Sequence, residues 1–303
     1  MSVKDDTNPR SNAPQREPEP PFPARQQPPP GLEAAMQPQP HFHAAHYRAA
    51  DKLEGLAALV TGGDSGIGRA VAVIFAKEGA DVAIAYLPSE EKDARVTQQA
   101  IEELGQRCVL LPGDLSTASE CERAIERTVQ AFGRLDLLVS NAAHQVHTDS
   151  LAEISDAMFD TTFRTNVYPL FWLTRAALRH MKPGGAIIAT SSKTGLVGAR
   201  NIPDYSATKG AINAFVKSLA VQLADQGIRV NAVAPGPVWT PLNVADPGRE
   251  PQQVAHFGED TPLGRPAQPE EVAPAYVFLA SNADSSFITG IVLPVMGGET
   301  VGA

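Results

Sequence analysis

The chain has 303 residues, 43% of them hydrophobic and 19% charged, enough for one large core or two small ones. Its net charge of -9 argues against a dedicated nucleic-acid binder, and no apolar run reaches the roughly 18 residues of a membrane span. The two cysteines, Cys108 and Cys121, form neither a disulfide framework nor a metal-ligand spacing, and Met1 to Arg10 lacks an apolar signal-peptide segment, so a cytoplasmic location follows by default.

Residues 1–50 read as a tail crowded with prolines, among them Pro20, Pro21, Pro28, Pro29 and Pro30, where neither helix nor sheet can propagate. Two readings compete: a disordered extension, or an extended arm lying on its own domain or on a neighbouring subunit. Phe22, Met36, Phe42 and Tyr47, spaced along a polar stretch, favour the arm. His41, His43 and His46 have no acid or cysteine beside them in sequence, so packing or solvated histidines are expected there, and no metal.

From residue 51 to 303 strands and helices alternate. Strands are expected at Ala57–Val60, Val82–Leu87, Arg107–Leu111, Leu135–Ser140, Ala186–Thr190, Arg229–Ala234 and Ile291–Val295. Helices are expected from the glycine turn to Gly79, over Glu90–Leu104 and Ala118–Phe132, as one long helix over Ser155–Met181, and over Tyr205–Gln226. The alternation predicts an α/β fold: a doubly wound, Rossmann-type parallel sheet of about seven strands with helices on both faces. No break in composition divides it, so one domain and a tail are expected.

Between the first strand and its helix lies Thr61-Gly62-Gly63-Asp64-Ser65-Gly66-Ile67-Gly68-Arg69. Glycines let backbone approach a pyrophosphate, and the helix N-terminus offers it N–H groups and partial positive charge. Such a turn can also be merely a tight connection. Tyr205 and Lys209 share a helix face at i and i+4, with Ser192 thirteen residues before Tyr205, just past the fifth strand. Strand C-termini line the ligand crevice of a parallel sheet, which brings all three to the side of the glycine turn. A lysine ammonium lowers the pKa of a nearby phenol, so Tyr205 can exchange a proton with an alcohol or carbonyl while hydride moves to or from a nicotinamide. A Tyr-x-x-x-Lys pair alone reads sooner as a solvated helix face.

Taken together, these pieces resemble a short-chain dehydrogenase/reductase of the compact type, over about Lys52 to Met296. The matching motifs are Thr61-Gly62-x-x-x-Gly66-Ile67-Gly68, Gly113-Asp114-Leu115, Asn141-Ala142-Ala143, Asn166, Ser191-Ser192, Tyr205-Ser-Ala-Thr-Lys209, Pro235-Gly236-Pro237-Val238-Trp239-Thr240 and Ile288-Thr289-Gly290 to Gly297-Gly298. The resemblance implies Tyr205 as general acid/base, Lys209 lowering its pKa and holding the nicotinamide ribose, Ser192 orienting the substrate oxygen, and Asn166 holding a water that links Lys209 to solvent. It implies cofactor contacts from Gly62, Asp64, Ser65, Gly66, Ile67 and Gly68, from Tyr86 and Leu87, from Asp114 (to the adenine) and Leu115, and from Asn141, Ala142 and Ala143. Pro235, Gly236, Val238 and Thr240 would meet the nicotinamide end. It implies a homotetramer built on the Asn166 and Tyr205 helices. Departures are mild: Ser140-Asn141-Ala142-Ala143 stands where Asn-Asn-Ala-Gly is usual, and Met296-Gly297-Gly298 where Asp-Gly-Gly is usual. The tail, Gly62-Gly63-Asp64-Ser65 and Tyr86-Leu87-Pro88-x-Glu90-Glu91 resemble the N-terminally extended subgroup labelled glucose/ribitol dehydrogenase-like or aldehyde reductase.

About 20 residues past the glycines, where an acid selects NAD and an arginine NADP, stands Tyr86. Ser65, Ser89 and, more remotely, Arg69 are candidate partners for a 2′-phosphate. Glu90 and Glu91 oppose them, and the balance tips slightly to NADP over NAD. Ser192, Lys193, His144, Gln145 and Trp239 are the candidate substrate contacts, beneath a lid over Pro241 to Thr261. The expected activity is NAD(P)-dependent oxidoreduction of an alcohol or carbonyl, an aldehyde, ketone or sugar. Against it stand a catalytically silent NAD(P)-binding regulator, disfavoured by the intact Asn166, Ser192, Tyr205 and Lys209 set, and a tail-mediated interaction protein using Pro28-Pro29-Pro30.

Overall fold

A computed structural model of the chain describes residues 17–300. The elements follow in order as β1 (Ala57–Thr61), α1 (Gly66–Lys77), β2 (Asp81–Tyr86), α2 (Glu91–Glu103), β3 (Cys108–Pro112), α3 (Ala118–Phe132), β4 (Leu137–Ser140), α4 (Asp156–Asn166), α5 (Tyr168–Ala177), β5 (Ala186–Thr190), α6 (Thr194–Val197), α7 (Pro203–Leu223), β6 (Arg229–Pro235), α8 (Pro241–Val244), α9 (Pro251–Ala255), α10 (Pro269–Ala280) and β7 (Val292–Val295). The seven strands form one sheet in the order β3-β2-β1-β4-β5-β6-β7, every pair parallel. Both faces are covered, and the strand period of two sorts the side chains. Ala58 and Val60 of β1 join Val71, Phe75, Tyr276 and Val277 under α1 and α10, whereas Leu59 joins Leu138, Leu173 and Val216 under the helices of the other face.

β1 pairs with β2 on one side and β4 on the other, so the chain reverses direction across the sheet between these strands. Ligands bind outside the strand C-termini at such a switch point.

Two expectations for the helices change. The long helix over Ser155–Met181 is two helices, α4 and α5, joined at Val167 (φ -109°, ψ -49°). Pro169, in the first turn of α5, has no N–H to give to the carbonyl of Thr165, so the ladder breaks there. α10, which was not expected, begins at Pro269 with a capping box of Gln268 and Glu271. It contains Pro274, yet Val272, Ala273, Tyr276, Val277 and Leu279 bury a continuous face.

The region expected as a lid contains the short helices α8 and α9. Residues 17–50 cross the domain as an extended arm with a single 3-10 turn at Glu33–Ala35. Phe22 stacks on Trp239 (ring centroids 4.2 Å apart), and with Met36, Val244, Val254 and Phe257 they form a separate small core. Further along, Arg69 lies over the Phe42 ring (4.8 Å), the Tyr47 hydroxyl donates to Glu78, and Lys77 Nζ donates to the Ala44 carbonyl (2.9 Å). His41 pairs with Glu17 (2.7 Å), and its backbone N–H donates to Gln268. Cys121 is fully buried, with Sγ 3.2 Å from the Leu115 carbonyl, and Cys108 is half-buried on β3; burial pushes both thiols up to about 12. Among the described residues, no helix is long and apolar enough to cross a membrane.

Candidate active site

The C-terminal ends of β1 to β6 open onto one cavity of about 680 Å³, the size of a small-molecule or cofactor site. At one end lie Asp64, Tyr86, Leu87, Asp114 and Leu115; at the other, Ser192, Tyr205 and Lys209. The expected cofactor residues line it with one exception, Gly68, which stands back from the cavity. Its role is packing: a Cβ there would lie 1.9 Å from the Gly62 carbonyl oxygen. Gly62 (φ +62°) and Gly66 (φ +50°) need glycine's left-handed backbone, and a Cβ on Gly66 would meet Thr240 at 2.9 Å.

Asn141 ties three strands together. Its backbone N–H donates to Thr61 Oγ1 (2.9 Å), its Nδ2 to the Thr61 carbonyl (3.1 Å), and its Oδ1 accepts from Thr190 (3.0 Å). Thr190 in turn meets the Tyr276 hydroxyl of α10 at 2.7 Å. The switch point is thus fixed by side chains as well as by the ladder.

Tyr205 and Lys209 leave α7 toward the C-terminal end of β5, where Lys209 reaches Thr190. The Lys209 ammonium sits 5.2 Å from the Tyr205 ring centre and donates to the Thr190 carbonyl (2.8 Å). Burial dominates both groups: it pushes the Tyr205 phenol up to about 12, against the lowering effect of a hydrogen bond to Ser192, and pulls Lys209 down to about 7. The expected lowering of the phenol by lysine does not show among the chain's own groups: burial raises it, and the Ser192 hydrogen bond is what works against that rise. Ser192 Oγ is aimed by Thr194, whose N–H (3.1 Å) and hydroxyl (3.2 Å) both reach it.

Asn166 does not line the cavity. Its Oδ1 accepts from the His144 N–H (2.7 Å), and its Nδ2 donates to the His144 carbonyl (2.9 Å) and to Thr208 Oγ1 (3.1 Å). Both side-chain donors are spent on protein, so the side chain fixes the His144 backbone. Trp239 is corrected too. It is fully buried against Phe22, its Nε1 donating to the Pro38 carbonyl (2.8 Å), and faces the small core of the arm instead of substrate. Arg69 is unavailable as a phosphate clamp because Glu33, Thr97 and the carbonyls of Asp64 and Asp93 consume its guanidinium.

His144, Gln145 and Lys193, the other residues expected to meet substrate, line the cavity. Burial lowers the His144 pKa, and Lys193 is ion-paired to Glu299. Gln145 donates to Asp246 (3.1 Å), which also holds His147 (2.5 Å). Burial raises Asp246, but the His147 hydrogen bonds outweigh it and hold the carboxyl below its usual range. Sequence reasoning missed His147, Asp246, Pro29, Pro30 and Glu33. For His147 the one signal was its proximity to Gln145, and nothing in the sequence links it to an acid 99 positions away.

A family model described as Enoyl-(Acyl carrier protein) reductase matches residues 62–300. NADPH-dependent aldehyde reductase 1, chloroplastic, of Arabidopsis thaliana is 48% identical over 267 residues, 86% of this chain and 92% of that protein. Glucose and ribitol dehydrogenase homolog 2 of the same plant is 46% identical over 286 residues, 93% of this chain and 98% of that protein. A short-chain dehydrogenase from Burkholderia cenocepacia J2315, solved in complex with NADP, superimposes with a TM-score of 0.74 at 33% identity, covering 82% of this chain and 98% of that one. With its parallel sheet, glycine turn and cavity, the chain belongs to the short-chain dehydrogenase/reductase family and is an oxidoreductase.

Proposed function

We propose that the chain reduces an aldehyde or ketone, or oxidises the corresponding alcohol, with NADP(H), and that Tyr205 is the general acid/base. The supporting observation is the placement of Ser192, Tyr205 and Lys209 at one end of a cavity whose other end is the glycine turn and Asp114. The residues fit a nicotinamide cofactor. An ammonium has three N–H donors, and Lys209 spends one on Thr190, which leaves donors for ribose hydroxyls and for the phenolate. When bound, the cofactor supplies the hydride and, in its oxidised form, a positive ring that favours the phenolate. The chain's own groups do the rest. Ser192 holds the substrate oxygen, Tyr205 gives or takes its proton, and Lys209 stabilises the resulting phenolate. In Tyr205→Phe, turnover should fall by about a hundredfold or more while cofactor still binds; undiminished turnover rejects the mechanism.

For NADP(H) the support is the NADPH-dependent Arabidopsis relative and the NADP complex of the Burkholderia one. The carboxyl of Glu90, on the cavity wall after β2, is pushed well up by burial and then by neighbouring Asp64, so near neutrality it is largely uncharged and tolerates a 2′-phosphate. As pH rises and the carboxylate forms, repulsion should weaken NADPH binding more than NADH binding. Paired fluorescence titrations between pH 6 and 9 check this; equal slopes for the two cofactors reject it.

We also infer a homotetramer, supported by the aromatic surface that Phe159, Tyr168 and Phe171 expose along α4 and α5. Phe171→Glu should lower the mass seen by light scattering.

A further inference from the structure

The cavity is not built by the sheet domain alone. Pro29 and Pro30 of the arm are among its lining residues, and the arm is fastened on both sides of them. On the lid side, the Phe22 N–H donates to the Ala255 carbonyl (2.8 Å), the Gln27 N–H to the Val244 carbonyl (3.2 Å), and the Gln26 carboxamide to the Arg249 carbonyl. The Phe22 ring sits on Trp239 within the small core shared with Val244, Val254 and Phe257. α8 and α9, of four and five residues, are too short to bury that apolar surface themselves; the arm covers it. Gly31 follows, with φ +85°, so close that a Cβ would lie 2.7 Å from Ala245 Cβ and 3.3 Å from Pro241 Cβ.

On the opposite side, Glu33 is buried with Oε2 accepting the Gly66 N–H (2.5 Å), the first of α1, while Oε1 pairs with Arg69 (2.5 Å). The Glu33 and Ala34 N–H groups are held by Asp93 at 2.6 and 3.3 Å. The first N–H groups of a helix lack intrahelical acceptors, and with Gly66 taken, that of Ile67, on the cavity wall, remains for an anion. The arm therefore spans from the lid to the glycine turn and passes the cavity with two prolines, whose fixed φ makes a stiff crossing.

We propose that residues 22–36 are a wall of the cofactor site, with Phe22 and Glu33 as the positioning residues that clamp this wall to the lid and to the N-terminus of α1, so that the arm governs how fast the nicotinamide cofactor leaves. This rests on the NADP(H) reading above and adds a segment to the site. Departure of cofactor past a wall clamped at both ends requires one clamp to loosen; weakening either clamp shortens residence.

The test uses the full-length chain and NADPH. In stopped-flow displacement with excess NADP, Phe22→Ala and Glu33→Ala should each raise the NADPH dissociation rate by tenfold or more. Glu33→Gln, whose carboxamide oxygen still accepts from Gly66, should stay within about threefold of wild type. Independently of any variant's folding, saturating NADPH should slow hydrogen exchange at the amides of residues 22–36 in the wild-type protein. Unchanged exchange there, or dissociation rates within twofold of wild type in both alanine variants, overturns the wall while leaving the oxidoreductase reading intact. Wild-type protein that binds neither NADPH nor NADH overturns both.

Discussion

Lys209 and Tyr205 show how one physical term can outrank another. Both lie on a face of α7 that the i, i+4 spacing made visible, but how far each is buried could not be read from spacing, and burial sets their pKa values. The same holds for Glu33, an acid in a featureless tail whose partners, Arg69, Gly66 and Asp93, lie 33 to 60 positions away. Burial, set against Arg69, raises the Glu33 carboxyl to about 7, with Asp93 and Asp64 adding to the rise. A carboxyl whose folded pKa is raised binds more protons folded than unfolded between about pH 4.5 and 7, so this site favours folding at low pH, and that contribution is lost as pH rises through 7. Glu33→Gln should flatten this part of the stability profile, on the order of 3 kcal/mol at most by the size of the shift. Urea unfolding at pH 5 and pH 7.5 measures it, and parallel profiles reject it. At Gly68 the expectation is steric. A methyl group 1.9 Å from the Gly62 carbonyl oxygen forces α1 off β1, so Gly68→Ala should lose more than about 2 kcal/mol, read as a drop in Tm.

At the scale of elements, the strands were legible to within about two residues because a fully buried parallel strand is a short apolar run between turn signals. Helix ends were harder wherever proline stood. Pro169 divides α4 from α5, while Pro269 starts α10 and Pro274 sits inside it, so one residue type was a stop in one place and a start in another. The segment of α8 and α9 has partners on two sides: Phe22 of the arm on one, Gln145 and His147 through Asp246 on the other. Asp246→Asn keeps the shape and weakens the charged tether to His147. It should raise KM for the substrate severalfold with a smaller change in kcat, and a fall in kcat alone would place His147 and Asp246 in the chemistry instead.

Across the whole molecule, the doubly wound sheet followed from strand and helix alternation, but the contribution of residues 17–50 to the cavity did not, because arm and cavity meet only in three dimensions. The alignment with the Arabidopsis glucose and ribitol dehydrogenase homolog covers 93% of the chain, more than residues 51–303 could supply, so it extends into the arm. The molecule also carries a practical consequence in its sulfur chemistry. With both thiols shielded and held near 12, almost no thiolate exists at neutral pH, and maleimide reagents should find little to modify. A single cysteine introduced on the exposed side of the arm, at Gln39, would then be the dominant labelling site and give a fluorescent dye whose signal reports the arm without background from the rest of the chain.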